Sequence, residues 1–297
     1  MGSYGHCIDN QRTFVKSLTI KSYAKVNVGL QILNERPDGY HNINTVFQEL
    51  DFYDTIELKR ENNGCEFYSN VNWLRNDSTN LCVLAFEKFL KEYDIGGVSI
   101  NLLKQIPSGG GLGGGSSNAA AILKGLCHLY SIDPIHEKLS RIALTLGADV
   151  PFFLKGGLQI ASGIGEQLVE MNGSINGAYL LITPKFKIDS KWAYKNFKKF
   201  LQRPKVKVNF SDLLERDKTP FKLFENDFES IVIPAYPEIA IIKEKLWSCR
   251  PKFVSLSGSG STVFGIFDDE AGAKSAESLF SHRYSTFIAN PVTRMLK

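Results

Sequence analysis

The stretch IPSGGGLGGGSSNAAAIL, residues 106–123, carries the clearest chemical signal in the sequence. Six of the seven residues 109–115 are glycine, and two serines and an alanine-rich segment follow directly. Glycine lets several backbone N–H groups converge on an anion without obstruction by a Cβ atom. A helix that begins immediately afterwards adds unpaired amides and the positive end of its dipole. The stretch therefore predicts a phosphate-binding loop, with Ser116 or Ser117 as N-cap of a helix that runs to about Tyr130.

Other interpretations of these glycines remain open at this point. The stretch could be a flexible linker followed by an ordinary serine cap, although a linker is not expected to pass directly into a capped helix. It also satisfies GxGxxG, so an NAD-binding oxidoreductase is an alternative, but any long glycine run gives this match. A dinucleotide fold places the motif after an early strand, whereas this one lies a third of the way along the chain. The Walker pattern is absent, since no Lys-Ser/Thr pair follows the glycines.

The composition excludes several classes of protein. The 297 residues carry a formal net charge of +4, too mild to indicate a nucleic-acid partner. There is no apolar run of about 18 residues, so no membrane-spanning helix and no membrane partner are expected. The polar beginning, MGSYGHCIDNQRTFVKS, does not read as a signal peptide, and residues 1–3 are left out of the fold prediction.

The cysteines indicate a reducing compartment. Five occur, they are scattered, and they form no CxxC pair, which argues against a disulfide framework or a zinc site. We therefore expect free thiols in or near the core and a cytoplasmic protein. The five are Cys7, Cys65, Cys82, Cys127 and Cys249.

The hydrophobic pattern predicts a mixed α and β chain with the glycine loop between a strand and a helix. Strand patterns occur in SLTIKSYAKVNVGLQIL, FQELDFYDTIELKRE and VSINLL, and later in LQIASGIGEQLVEM, AYLLITP, FVSLSGSGSTVFGIF and HRYSTFIANPVTR. Helical spacing covers residues 81–93 and 135–146, and residues 190–234 are expected to be helices with loops. Because the pattern changes after Gly157, we place a domain boundary near residue 158, which gives domains 1–158 and 159–297.

Four motifs in order resemble those of the GHMP kinases, the small-metabolite kinases that include galactokinase, homoserine kinase and mevalonate kinase. The glycine stretch is similar to their phosphate loop. AKVNVGL at 24–30, LGADVPFFLKGG at 146–157 and SLSGSGSTVFGIF at 255–267 are similar to their N-terminal, central and C-terminal motifs. The resemblance implies an α/β (α+β) fold of two domains with the active cleft between them. The first would be a ribosomal S5-like ATP-binding domain with a left-handed βαβ crossover, and the second a substrate-side GHMP domain.

The resemblance also implies an ATP site with magnesium. Mg²⁺ is expected because it neutralises the phosphates, but no carboxylate cluster identifies a protein ligand, so no metal residue is assigned. Asn80 matches a family position near the adenine. The implied ATP-binding residues are Asn80, Lys104, Pro107, Gly109, Gly110, Gly111, Leu112, Gly113, Gly114, Gly115, Ser116, Ser117 and Asn118.

Lys25 and Asp149 match the catalytic positions of the family. Phosphoryl transfer to an alcohol needs a group that takes the hydroxyl proton and positive charge near the transferred group. Asp149 lies among apolar residues in GADVPFF, where a carboxylate is costly without a partner, and Lys25 is the natural partner. Taken alone, Asp149 would be interpreted as a turn or cap residue and Lys25 as a solvated strand charge.

The segment RPDGYHNINTVFQELDFYD is similar to a subgroup whose acceptor is a cytidylyl alcohol. The resemblance implies that Tyr40 stacks on the cytosine and that His41 meets its edge, although a surface turn would also explain these residues. Asn27 would hold the alcohol part of the acceptor.

Later positions complete the implied acceptor site. Ser190 stands where the family commonly has threonine, and Tyr194 would close the other side of the cytosine. Gly258 and Gly260 would lie beside the transferred phosphate or the acceptor. A homoserine or mevalonate type of acceptor, or a non-catalytic nucleotide-binding protein, remains the alternative. We expect a small-molecule substrate and a monomer or weak homodimer.

Overall fold

A computed structural model of the chain describes residues 15–133, 135–197, 206–216 and 219–294. These residues form two β-sheets with helices packed against both, and each strand predicted from the sequence is present. Met1–Ser3 and Cys7 lie outside the described ranges. The described part contains no helix whose length and apolar character would let it cross a bilayer.

The first sheet is built around two long strands joined by the turn in RPDGYH. β1 (Ser17–Glu35) and β2 (His41–Glu61) pair antiparallel, and the other strands are β3 (Cys65–Ser69), β4 (Gly97–Leu103), β5 (Leu158–Ser162) and β6 (Gln167–Met171). The order is β3-β4-β2-β5-β6, with β1 added on β2, and only the β3–β4 pair is parallel.

Four helices cover one face of this sheet. They are α1 (Leu81–Leu90), α2 (Gly114–Leu129), α3 (His136–Leu146) and α4 (Val150–Lys155). Small residues let α2 lie close to the strands, because a Cβ atom on Gly125 would come within 2.4 Å of Ile20 and Leu58. The small residues of this helix therefore also fix its distance from the sheet.

The second sheet has the order β10-β7-β9-β8 and is antiparallel throughout. Its strands are β7 (Ala178–Thr183), β8 (Phe253–Leu256), β9 (Val263–Phe267) and β10 (Ser285–Ala289). The helices of this half are α5 (Ser190–Phe197), α6 (Phe210–Leu214), α7 (Glu229–Ala235), α8 (Pro237–Trp247) and α9 (Glu270–Glu277), with a 3₁₀ turn at Phe221–Leu223.

The sheets do not divide at residue 158. β5 begins there and pairs with β2, and β6 pairs with β5, so the first sheet extends to Met171. The second sheet begins at Ala178. We keep the division into two domains as a proposal and move the boundary into the segment between β6 and β7.

The two halves share an apolar core and a C-terminal segment that returns to the first sheet. Val26 and Val28 of β1 pack in one buried cluster with Tyr179 and Phe264 of the second sheet. Val292 N donates to the carbonyl of Glu49 at 2.9 Å, beyond the end of β10. These contacts hold the face of β1 that carries Lys25 and Asn27 at a fixed place between the halves.

Lys124 is a half-buried cation of α2. Its ammonium donates to the carbonyl oxygen of Phe153 at 2.7 Å, near the end of α4. Burial lowers the pKa of Lys124 to about 8. An ammonium in such a place costs folding free energy at neutral pH, because its charged form loses hydration.

Candidate active site

The glycine loop connects β4 to α2, and every second residue from 109 to 113 has a left-handed backbone conformation. Gly109, Gly111 and Gly113 have φ angles of +73°, +77° and +70°. Gly113 is the N-cap of α2, and no side chain forms a cap hydrogen bond there. The expectation that Ser116 or Ser117 caps the helix is therefore wrong, because the left-handed turn at Gly113 starts the helix earlier. The first amides of α2 have no side-chain cap, as an anion site requires.

The two serines have different surroundings. Ser116 lines the cleft, whereas Ser117 is 3% exposed, and its hydroxyl accepts a hydrogen bond from Ser22 Oγ at 2.8 Å. Ser117 N donates to the carbonyl of Gly113 at 2.8 Å. Ser117 therefore anchors the helix start, and its hydroxyl is not directed at the cleft surface.

The glycine loop packs tightly on the second glycine loop, residues 257–262. Ser257 Oγ donates to the carbonyl of Gly111 at 2.9 Å, and Thr262 N donates to that of Gly110 at 3.1 Å. A Cβ atom on Gly111 would lie 2.0 Å from the carbonyl oxygen of Ser257. The linker interpretation is therefore wrong, because glycine is needed here for close backbone contact as well as for φ.

The loops form the wall of a cleft of about 1020 Å³ between the two halves of the chain. Of the residues predicted to bind ATP or acceptor or to act in catalysis, all except Ser117 and Gly260 line it. Gly260 N instead donates to the carbonyl of Ser257 at 2.9 Å and closes the second glycine loop. The fold thus brings together residues that lie up to 233 positions apart, from Lys25 to Gly258.

Lys25 and Asp149 form an ion pair on the cleft surface. Lys25 Nζ lies 3.4 Å from Asp149 Oδ2, with side-chain exposures of 5% and 34%. Asp149 occupies the N-cap position of α4, within a turn, but its side chain makes no cap hydrogen bond. Its carboxylate thus reaches the cleft, while the lysine is almost enclosed.

Neighbouring groups hold the Lys25 ammonium in place. It donates to Asn27 Oδ1 at 2.6 Å and lies 4.9 Å from the centre of the Phe47 ring. Asn27 Nδ2 in turn donates to Thr45 Oγ1 at 3.0 Å. The Lys25 backbone also donates to the carbonyl of Leu112, so the catalytic candidate and the glycine loop are directly joined.

The other end of the cleft is aromatic. Tyr40 is 60% exposed, whereas His41 is buried and stacks on Tyr194 with ring centres 5.1 Å apart. Asp38 fixes the preceding turn, since it accepts from Tyr40 N at 3.1 Å and pairs with Arg36. The Tyr40 amide and Arg36 lower the pKa of Asp38, so the turn keeps its charge well below neutral pH.

At the aromatic end of the cleft, α5 contacts the second glycine loop. The hydroxyls of Ser190 and Ser259 lie 2.8 Å apart. Burial, and then the charge of Asp149, raise the pKa of Tyr194, so its phenol stays neutral throughout the physiological range. Ser259 also lines the cleft. The sequence reasoning missed it, although it lies between the two glycines that were singled out.

Trp73 and Lys187 also lie by the glycine loop and were missed. Trp73 is 55% exposed and lines the cleft. Lys187 Nζ lies 5.3 Å from the centre of the Trp73 ring and donates to Ser108 Oγ at 3.4 Å. Asn80 itself caps α1, as its side chain accepts from Cys82 N at 3.0 Å. Trp73 belongs to no motif, whereas Lys187 is the first residue of KIDSKWAY, the stretch that contains Ser190 and Tyr194, so its position in that stretch was the available signal.

A buried network lies beneath the glycine loop. Asp54 has no exposed surface and pairs with Lys104, whose Nζ lies 2.5 Å from Asp54 Oδ2. Asn118 Nδ2 donates to the same oxygen at 2.9 Å and to Ser22 Oγ at 2.9 Å. Asp54 is the last residue of RPDGYHNINTVFQELDFYD, and the sequence alone indicates no role for it. Its partners are distant in sequence, so only the fold reveals them.

The described residues contain no group of three or more His, Cys, Asp or Glu side chains suited to hold a metal ion. Asp149 and Ser116 offer oxygen atoms on the cleft surface. The four cysteines that the structure describes, Cys65, Cys82, Cys127 and Cys249, are free, as expected.

The sequence matches two parts of one family. Residues 80–157 match the GHMP kinases N terminal domain, and residues 210–285 match the GHMP kinases C terminal domain. A 4-diphosphocytidyl-2-C-methyl-D-erythritol kinase of Chlorobaculum tepidum is 40% identical over 275 residues, covering 91% of this chain and 96% of that relative. The enzyme of that name from Chlorobaculum parvum is 41% identical, covering 86% and 91%. This chain belongs to the GHMP kinase family.

Solved structures agree with this assignment. The crystal structure of a 4-(cytidine 5'-diphospho)-2C-methyl-D-erythritol kinase is 28% identical, with a TM-score of 0.81 and coverage of 93% of this chain and 100% of that one. A homoserine kinase from Cytophaga hutchinsonii gives a TM-score of 0.68 at 17% identity, over 96% and 97% of the two chains, and shows the shared fold.

The predicted fold class and the prediction of a small-molecule kinase are confirmed by these matches. The oxidoreductase alternative is wrong. The glycine loop follows β4 rather than the first strand, and β4 runs antiparallel to β2 and parallel only to the short β3, whereas a dinucleotide fold needs a parallel sheet with the motif after its first strand.

Proposed function

We propose that this GHMP kinase transfers the γ-phosphoryl group of ATP to the 2-hydroxyl of 4-diphosphocytidyl-2-C-methyl-D-erythritol. The products are the 2-phosphate and ADP, within non-mevalonate isoprenoid precursor synthesis. The observation that carries this proposal is the Lys25–Asp149 ion pair at 3.4 Å, on a cleft surface shared with both glycine loops. The relatives of that name, about 40% identical over most of the chain, support the choice of acceptor over homoserine or mevalonate.

Asp149 accepts the proton of the acceptor hydroxyl as that oxygen attacks the γ-phosphorus. The side chain is 34% exposed, so a bound alcohol can reach its carboxylate. Lys25 stabilises the negative charge that develops on the attacking oxygen and the transferred group. Its hydrogen bond to Asn27 keeps the ammonium in one position before the substrate arrives, so little reorganisation is needed during the reaction.

ATP binds with its phosphates against the glycine loop and the first turn of α2. Gly109, Gly111 and Gly113 turn the backbone so that successive N–H groups are free for phosphate oxygens. The adenine lies toward Asn80 and Trp73, at the apolar end of the loop.

Magnesium enters with the nucleotide. The described residues contain no cage of three carboxylate, imidazole or thiolate groups, which fits an ion held mainly by phosphate oxygens and water. Asp149 and Ser116 are the side chains that would complete its shell. When bound, the ion neutralises phosphate charge and orients the γ-phosphoryl group.

The cytidine part of the acceptor lies at the aromatic end of the cleft. Its base stacks on the exposed ring of Tyr40, and the stacked pair of His41 and Tyr194 closes the pocket on the other side. Ser190 and Gly258 then border the phosphate and alcohol parts, beside Asn27. We further propose a cytoplasmic enzyme that acts as a monomer or weak homodimer.

A coupled ADP-release assay tests the function. The full chain is incubated with ATP and Mg²⁺ and with one of three alcohols: the cytidylyl erythritol, homoserine or mevalonate. We expect release only with the cytidylyl alcohol. Release with homoserine or mevalonate instead would contradict the acceptor, and no release with any alcohol would contradict the proposed reaction.

A further inference from the structure

We infer that Asp54 is a positioning residue for the nucleotide, which acts by holding Lys104 and both ends of the phosphate loop. The inference rests on the proposed ATP-dependent function. Asp54 lies on β2, does not line the cleft and is not among the residues predicted to bind ATP or the acceptor. It is nevertheless the buried hydrogen-bond acceptor at the centre of the network beneath the glycine loop.

Both carboxylate oxygens of Asp54 accept two hydrogen bonds. Oδ1 accepts from the backbone N–H groups of Gln105 and Ile106, at 2.7 and 2.8 Å. Oδ2 accepts from Lys104 Nζ at 2.5 Å and from Asn118 Nδ2 at 2.9 Å. Four donors on one fully buried carboxylate form a strong, low-dielectric anchor.

The four donors come from the two ends of the glycine loop. Residues 104–106 directly follow β4 and begin the loop, and Asn118 lies in the first two turns of α2. The Asp54 side chain therefore fixes the distance between the end of β4 and the start of α2, the two elements that the glycine loop connects. Ser22 extends the anchor to Ser117 through its hydroxyl.

The charge of Asp54 also sets the position of Lys104. That ammonium is 7% exposed, and a buried cation is costly unless an anion compensates it. Lysine has three donors, and two of them are used by Asp54 and Asn118 Oδ1. The third remains for a ligand in the cleft that Lys104 lines. Without the carboxylate, the ammonium would leave this position for solvent.

Asparagine at position 54 preserves the volume and keeps an oxygen for the two loop amides. Its NH₂ group, however, would face two other donors, on Lys104 and Asn118. We expect Asp54→Asn to raise the Kd and KM for ATP by about tenfold or more, because the charged hydrogen bond is lost and a buried cation is left uncompensated. The KM for the acceptor should change by less than about twofold, since Asp54 is remote from that end of the cleft.

Glu49→Gln is the matched control. Glu49 lies on the same strand and is 2% exposed, and it accepts hydrogen bonds from Gly157 N at 2.8 Å and from Arg294 at 3.0 Å. It does not line the cleft and has no partner in the glycine loop. We expect Glu49→Gln to lower the midpoint of unfolding but to leave ATP affinity unchanged.

The experiment measures ATP–Mg²⁺ binding by calorimetry without acceptor, steady-state constants for both substrates, and thermal unfolding. Selective loss of ATP affinity in Asp54→Asn supports the inference. Equal changes in ATP affinity for Asp54→Asn and Glu49→Gln would overturn it. Wild-type protein that binds ATP but phosphorylates none of the alcohols contradicts only the proposed reaction, so the two failures are distinguishable.

A double-mutant cycle separates positioning from general destabilisation. In a Lys104→Met background, Asp54→Asn should weaken ATP binding by a smaller factor than in the wild type, because the route through Lys104 is already gone and only the hold on the loop ends is left to lose. If the two substitutions weaken ATP binding by independent factors that multiply, the inference is contradicted.

Ser22→Ala perturbs the same network more gently if Asp54→Asn does not fold. It should weaken ATP binding about threefold, as expected for one hydrogen bond, with the acceptor KM unchanged, and unchanged ATP binding would count against the network.

Discussion

Replacement of Gly111 by alanine probes the contact that shapes the phosphate loop. The added Cβ atom would lie 2.0 Å from the carbonyl oxygen of Ser257 and 3.1 Å from that of Gly260. Carbon and oxygen atoms in favourable contact are about 3.3 Å apart, so the two glycine loops would have to separate by about 1 Å. That movement would break the Ser257–Gly111 and Thr262–Gly110 hydrogen bonds, of 2.9 and 3.1 Å.

The structure gives the expected size of the effect. Left-handed backbone at φ +77° costs an alanine about 1 kcal/mol. The two broken hydrogen bonds add about 1 kcal/mol each, so we expect Gly111→Ala to lower the free energy of unfolding by about 3 kcal/mol. The displaced amides should lower kcat/KM for ATP by about tenfold or more.

Gly64→Ala isolates the backbone contribution. Gly64 has φ +76°, and a Cβ atom there would meet nothing within 4 Å. This variant should lose only about 1 kcal/mol and keep its activity. Urea unfolding followed by circular dichroism measures both variants. If Gly111→Ala is no less stable than Gly64→Ala, the rigid contact between the loops is refuted.

Two further predictions concern the acceptor pocket and the half-buried Lys124. His41→Ala removes the stacking partner of Tyr194, so the KM for the cytidylyl alcohol should rise about tenfold while the ATP Kd stays constant; an equal loss for ATP would show that the pocket is misassigned. The pKa of Lys124 is about 8 in the folded chain, whereas its ordinary value is 10.5. Between pH 8 and pH 10.5 the unfolded chain therefore binds more protons at this group than the folded chain does. Because of this difference, Lys124 makes the free energy of unfolding rise with pH over that range. Relative to wild type, Lys124→Met should therefore be most stabilised at pH 7, by up to about 3 kcal/mol, with the difference shrinking toward pH 10.5. A difference that does not depend on pH between 7 and 10.5 would contradict the Lys124 account.

The elements around the site could be predicted because local patterns specify them. Alternating apolar residues indicated β1 and β2, and the glycine run between VSINLL and an alanine-rich segment indicated a strand, a loop and a helix. The four motifs then indicated which residues share the cleft. AKVNVGL lies within β1 and the other three motifs lie where elements begin or end, and residues of all four line the cleft.

Other features depend on backbone turns or on distant pairing, which a local pattern does not report. Gly113 starts α2 through a left-handed turn, so the serines that resembled caps lie inside the helix. β5 and β6 follow the pattern change at Gly157, but β5 pairs with β2 and β6 pairs with β5, so the boundary between the sheets lies later than residue 158.

Side-chain partners far apart in sequence were also not predictable. Asp54 meets Lys104 and Asn118 across 50 and 64 positions. His41 stacks on Tyr194, so the two rings act as one side of the proposed pocket.

The central claim is that Asp149 and Lys25 form the reaction centre of a cytidylyl-alcohol kinase. Single-turnover phosphoryl transfer by Asp149→Asn, with the Kd of ATP and of the acceptor measured in parallel, tests it most directly. We predict a rate lower by about 100-fold or more with both Kd values nearly unchanged, since only the proton acceptor is lost. A rate close to that of the wild type would contradict the account.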